Sequence, residues 1–93
     1  MTNDQLARAI QSVRMAALVT HLPLFRSAMS KESSAAALNS RTVWAPTGCR
    51  TRVWYARTII ASDRLNDALD LIVDASRVPN TVRDAARQLR AAS

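Results

Sequence analysis

Ninety-three residues give room for one hydrophobic core, because folding units usually run to about 100 to 150 residues. An apolar share of 48% against 22% charged residues excludes a chain too polar to fold. The net charge of +6 points to an acidic partner, yet its carriers are twelve arginines and one lysine beside seventeen alanines, a bias that a GC-rich genome produces without selection for phosphate binding.

The start, Met1 to Gln5, has neither the basic segment nor the apolar run of a secretory signal, and the expected location is cytoplasmic. Thr2 and Gln5 have the spacing of a capping box, and Leu6, Ile10, Val13 and Ala17 follow at i, i+4, i+7 and i+11. That spacing predicts a long first helix from Asn3 to about His21. Its second half adds Met15, Leu18 and Val19 on other faces, so it is expected to be enclosed by the chain itself or by a second subunit in a homodimer. The most apolar stretch, Met15 to Phe25, is broken by Thr20, His21 and Pro23 and is shorter than the roughly 20 residues that span a bilayer. No membrane partner is expected.

Pro23 suits the first turn of a short second helix with Leu24, Phe25, Ala28 and Met29 as its apolar side. A cluster of serines predicts a break near Ser30, followed by another short helix to about Leu38. Thr42-Val43-Trp44 and Arg52-Val53-Trp54-Tyr55 are β-branched and aromatic, and Ala45-Pro46-Thr47-Gly48 between them has turn composition. These residues predict a β-hairpin reaching to about Ile60, packed by one face on the helices. Ser62 is a candidate N-cap for a helix from Asp63 to Ser76, with Leu65, Ala68, Leu69, Ile72 and Val73 as its apolar side. Pro79 and Asn80 then introduce a last helix with Val82, Ala85, Ala86 and Leu89 on one face. The expected fold is therefore α+β, mainly α, over residues 1–93 as a single small domain: a long helix, short helices, a hairpin and a C-terminal αα-hairpin.

Charge is unevenly placed. Residues 1–40 carry four basic and two acidic groups and residues 61–93 five of each, so the hairpin segment holds four of the six net positive charges. Arg41, Arg50, Arg52 and Arg57 occur there with no acidic residue, beside Trp44, Trp54 and Tyr55. Arginine offers a planar fork and a stacking face, and with aromatics it serves either nucleic acid or a protein interface hot spot. The tryptophans turned inward as core are the plain structural alternative. A secondary surface comprises an acidic stripe, Asp63, Asp67, Asp70 and Asp74, and a basic one, Arg83, Arg87 and Arg90, which neighbouring helices would let pair with each other.

Catalytic chemistry finds little support. His21 and Cys49 are each the sole residue of their kind, and neither a phosphate-cradling glycine loop nor a paired-carboxylate motif is present. One cysteine excludes an internal disulfide and a thiolate zinc site. No catalytic, cofactor or metal site is assigned. The leading expectation is a non-enzymatic regulatory or accessory protein, inhibitor or adaptor in type, that binds another protein through the Arg/Trp/Tyr segment. The alternative is a winged-helix-like DNA- or RNA-binding protein that grips phosphates through the same residues.

Overall fold

The capping box opens the structure as the sequence predicts. In the computed structural model, which describes residues 1–92, the Gln5 N–H donates to Thr2 Oγ1 at 3.1 Å and the Thr2 N–H to Gln5 Oε1 at 2.8 Å. Two of the orphan donors at the start of α1 (Asn3–Val13) are thereby satisfied. Leu6, Ile10 and Val13 are buried along it. The expected continuation to His21 is interrupted at Arg14, whose φ of 79° and ψ of 135° lie outside the helical region. α2 (Met15–Thr20) sets off in a new direction and buries Ala17, Leu18 and Val19. A straight rod would leave one of these two apolar sets uncovered, and the bend lets the same molecule cover both.

α3 (Leu22–Phe25) is a single turn with Pro23 in it, shorter than the sequence suggests, and Leu22, Leu24 and Phe25 all point into the core. The chain breaks again before Ser30, whose hydroxyl accepts the Ser33 N–H at 3.1 Å and caps α4 (Lys31–Arg41). Thr42 closes that helix by donating its hydroxyl to the Leu38 carbonyl at 2.9 Å.

The principal correction falls on the next segment. No strand occurs among the described residues, and the expected hairpin is replaced by α5 (Pro46–Ala61), the longest helix. Ala45 is its N-cap and Pro46 lies in its first turn, where a missing N–H costs nothing, so Ala45-Pro46-Thr47-Gly48 starts a helix rather than turning a hairpin. Cys49, Val53, Ala56 and Ile59 recur at i, i+4, i+7 and i+10 and are completely buried. Both flanks of α5 are covered, one by α1 and the other by α4, and burial at helical spacing outweighs the β preference of Val, Thr and Trp. The architecture is thus a helical bundle around α5, not α+β.

α5 ends at Ser62, which serves as its C-cap rather than as the N-cap of the next helix. Asp63 takes a left-handed φ of 58°, a conformation Asp tolerates, and α6 (Leu65–Asp74) begins after Arg64. A five-residue link leads to α7 (Asn80–Ala92), which lies against α6 and is tied to it by an ion pair between Arg90 and Asp70 at 3.0 Å. Ala68, Leu69 and Ile72 from α6 and Ala86 from α7 join one contiguous core with the residues of α1 to α5. Among the described residues no helix is long and apolar enough to cross a membrane.

Candidate partner-binding surface

The helical course of α5 sorts the candidate residues differently from a strand. On a strand, Arg52 and Trp54 share a face; on a helix they are about 200° apart, and their fates diverge. Arg52 folds back over the loop before α5 and places its guanidinium 4.0 Å from the centre of the Trp44 ring, a cation–π contact. A second partner of the Trp44 ring is His21, edge-on at 5.8 Å. Trp44 itself is held by its backbone: its carbonyl accepts from Asn39 Nδ2 at 2.8 Å and its N–H donates to Thr42 Oγ1 at 3.3 Å. His21 and Arg52 thus both hold Trp44, one edge-on and the other over its ring, at the α4–α5 connection.

Arg57 is committed to the interior as well. Its Nε donates to the Phe25 carbonyl at 3.3 Å and its Nη2 to the Ser34 hydroxyl at 2.5 Å and the Ser27 carbonyl at 3.4 Å. Ser34 is the one polar side chain fully buried among the described residues, and Arg57 is what satisfies it. Arg57 therefore ties α5 to the end of α3 and the start of α4.

Arg50 and Trp54, four residues apart, face outward. Trp54 is 49% exposed and meets Tyr55 edge-to-face at 4.8 Å, which leaves its indole as a ridge between two depressions. One, of about 440 Å³, is lined by Met1, Arg8, Ala9, Tyr55 and Thr58 on its α1 side. The other, of about 190 Å³, is closed by Lys31, Glu32 and Arg50. Arg8, Lys31 and Arg50 make no ion pair among the described residues, so the ridge stands within a basic field with Glu32 at its edge. Arg41 is exposed in the last turn of α4, apart from this ridge, and its charge together with the burial of His21 lowers the His21 pKa below 6.5, burial being the larger cause.

The secondary surface divides too. Asp63 lies outside α6, while Asp67 pairs with Arg64 at 2.5 Å and Asp70 with Arg90. Asp74 is exposed. Arg87 pairs with Asp84 in its own helix at 2.7 Å, and Arg83 donates to Asn80 Oδ1. One ion pair thus joins the two stripes, and the other two are local, between residues three apart in the chain. Among the described residues no three His, Cys, Asp or Glu side chains converge as a metal site. Cys49 is buried with its thiol directed at the Trp44 carbonyl, 3.8 Å away.

Arg8, Lys31 and Met1 carry no local signal that would have placed them here; tertiary folding brings them to Trp54 from 23 to 53 positions away in the chain. No protein-family model, curated protein or solved structure matches this chain.

Proposed function

We propose that this protein is a non-enzymatic regulatory or accessory protein, of the inhibitor or adaptor kind, that acts in the cytoplasm by docking another protein on the surface around Trp54. The observation that carries this reading is the half-exposed Trp54 indole, wedged on Tyr55 between two depressions and ringed by Arg8, Lys31 and Arg50. A rigid aromatic ridge with basic groups at its rim is the chemistry of an interface hot spot, where the aromatic fills a pocket and the arginines meet carboxylates. Nucleic acid is the less favoured partner because Arg52 and Arg57, half of the basic groups of the 41–60 segment, are engaged by Trp44 and by the Phe25, Ser27 and Ser34 oxygens. A phosphate surface needs those forks free.

The test pairs two measurements. Wild type and Trp54→Ala, matched for thermal stability, are used as baits and the partner's affinity for each is titrated; the substitution is expected to weaken binding by roughly 30-fold, the loss of about 2 kcal/mol typical of an aromatic anchor. Fluorescence anisotropy with labelled single- and double-stranded oligonucleotides is expected to show no binding at low salt. Tight oligonucleotide binding that falls with salt and with Arg50→Ala/Arg52→Ala would replace this reading with the nucleic-acid one.

A further inference from the structure

The outer side of α5 carries one stripe, Pro46, Arg50, Trp54 and Thr58, four residues apart. Each neighbouring pair lines one depression. Pro46 and Arg50 border one of about 330 Å³ shared with Glu32, Ala35 and Ala36 of α4. Arg50 and Trp54 border the one closed by Lys31 and Glu32, and Trp54 and Thr58 the one that Arg8 and Ala9 of α1 line. Four residues turn a helix by about 400° and raise it by about 6 Å, so the stripe drifts by about 40° at each step. Over roughly 18 Å it passes from the α4 flank of α5 to the α1 flank, and the three depressions join into one diagonal track with the Trp54 indole as its ridge.

We infer that this track holds an acidic, amphipathic segment of another protein, with an apolar side chain beside Tyr55 and carboxylates against Arg8, Lys31 and Arg50; the inference rests on the docking role of Trp54 argued above. Charge selects the occupant. Residues 1–60 hold eight basic and two acidic groups, whereas residues 61–93 hold five of each. The ion pairs of the described residues all lie in the second part, between Arg64 and Arg90. The net charge of +6 thus belongs to the part of the chain that forms the track, and its exposed Arg8, Lys31 and Arg50 pair with no carboxylate among the described residues.

Two features favour a peptide over a nucleic acid. The depression beside Tyr55 is lined by Met1, Ala9 and the two aromatic rings as well as by Arg8, which suits an apolar side chain with an acid next to it. Glu32 lines both depressions on the α4 side, next to Lys31 in the chain and across the groove from Arg50. A strand with a phosphate at every residue would bring one against that carboxylate, whereas a peptide can set a hydroxyl or an amide there and its acids on either side. The length of about 18 Å corresponds to five or six residues of extended chain or about twelve of helix.

The test is to pan a displayed library of random peptides of roughly 12 residues on the full chain at low salt, and to titrate the selected peptides by fluorescence anisotropy. They are expected to carry several acidic residues around an apolar one and to lose affinity as salt rises. Trp54→Ala is expected to weaken them roughly 30-fold. Arg50→Glu and Ala36→Glu, both at exposed positions, set a new carboxylate in the track and are expected to weaken them roughly fivefold each. Circular dichroism checks that each variant folds, and Lys31→Glu takes the place of one that does not. A selection that yields no binder, or acidic binders indifferent to Arg50→Glu and Ala36→Glu, overturns the inference. Binders that depend on Trp54 but carry no acidic residue overturn it while the docking role of Trp54 survives, and binders indifferent to Trp54 defeat both. An oligothymidylate that displaces a selected peptide as well as the unlabelled peptide does would give the track to nucleic acid instead.

Discussion

At the scale of single residues, His21 couples the stability of the fold to pH. Its ring is edge-on to Phe25 at 6.5 Å and to Trp44 at 5.8 Å, and burial with the nearby Arg41 charge disfavours the imidazolium. The folded state thus binds the proton less tightly than the unfolded chain, whose His titrates near 6.5. As pH falls below 6.5, the unfolded chain gains a proton that the folded one does not, so this contribution is complete above 6.5 and is lost below it until the folded His21 also titrates. The urea midpoint is expected to be lower at pH 5.5 than at pH 7.5, and His21→Phe to reduce that difference, since most carboxylates titrate below this window. An undiminished difference in the variant would assign the pH dependence to other groups. Arg57 and Arg52 show the limit of reading single residues from sequence. Both were legible as arginines near aromatics, but their direction follows from the helical turn of α5, and a side chain expected to face a partner instead holds Phe25, Ser27 and Ser34 together.

Among the elements, those with strong end signals were legible and those defined by burial alone were not. The Thr2–Gln5 capping box, the cap at Ser30 and the Pro79-Asn80 interruption mark real helix starts because each supplies a partner for orphan backbone groups or removes a donor. α5 was misread since Thr, Val, Trp, Tyr and Ile dominate it, and its apolar spacing at Cys49, Val53, Ala56 and Ile59 is diluted by Trp54 and Ile60 on other faces. The division of α1 from α2 left no trace in composition, because the residue at the bend is Arg14 and not glycine. Arg14 at φ 79°, ψ 135° sits in a region that L side chains enter at a cost of about 1–3 kcal/mol. Glycine adopts it freely but loses about 0.5–1 kcal/mol more backbone entropy on folding. Arg14→Gly is therefore expected to stabilise the protein by about 1 kcal/mol, raising Tm by roughly 4–8 °C for a chain of this size. Arg14→Ala keeps the strain and serves as the control in thermal denaturation. A Tm for Arg14→Gly below that of Arg14→Ala, as the entropy cost of glycine alone would give, would show that the bend stores no such strain.

For the whole molecule, the position of Cys49 turns one thiol into a reporter of cooperativity. It is completely buried at the centre of α5, beneath the Trp44 loop and within the core shared by all seven helices described. A thiol reagent can reach it only through opening, either of the Thr42–Ala45 loop alone or of the whole bundle. The loop is pinned by Asn39, by Thr42 and by the contacts of Trp44 with His21 and Arg52, which argues for the second route. If so, labelling with an aromatic disulfide reagent should be slower than in the urea-unfolded chain by a factor of roughly a thousand or more, the ratio set by a stability of at least about 4–5 kcal/mol. Arg57→Ala discriminates between the routes. It leaves the buried Ser34 hydroxyl without its donor, at a cost of about 1–3 kcal/mol, while the Arg57 hydrogen bonds go to Phe25, Ser27 and Ser34 rather than to the Trp44 loop. Under global opening the variant should label Cys49 faster by the same factor that its urea-derived stability loss gives, about tenfold per 1.4 kcal/mol. Labelling that ignores Arg57→Ala but accelerates with Asn39→Ala would place the weak point in the α4–α5 loop and make that loop, rather than the bundle, the unit that opens.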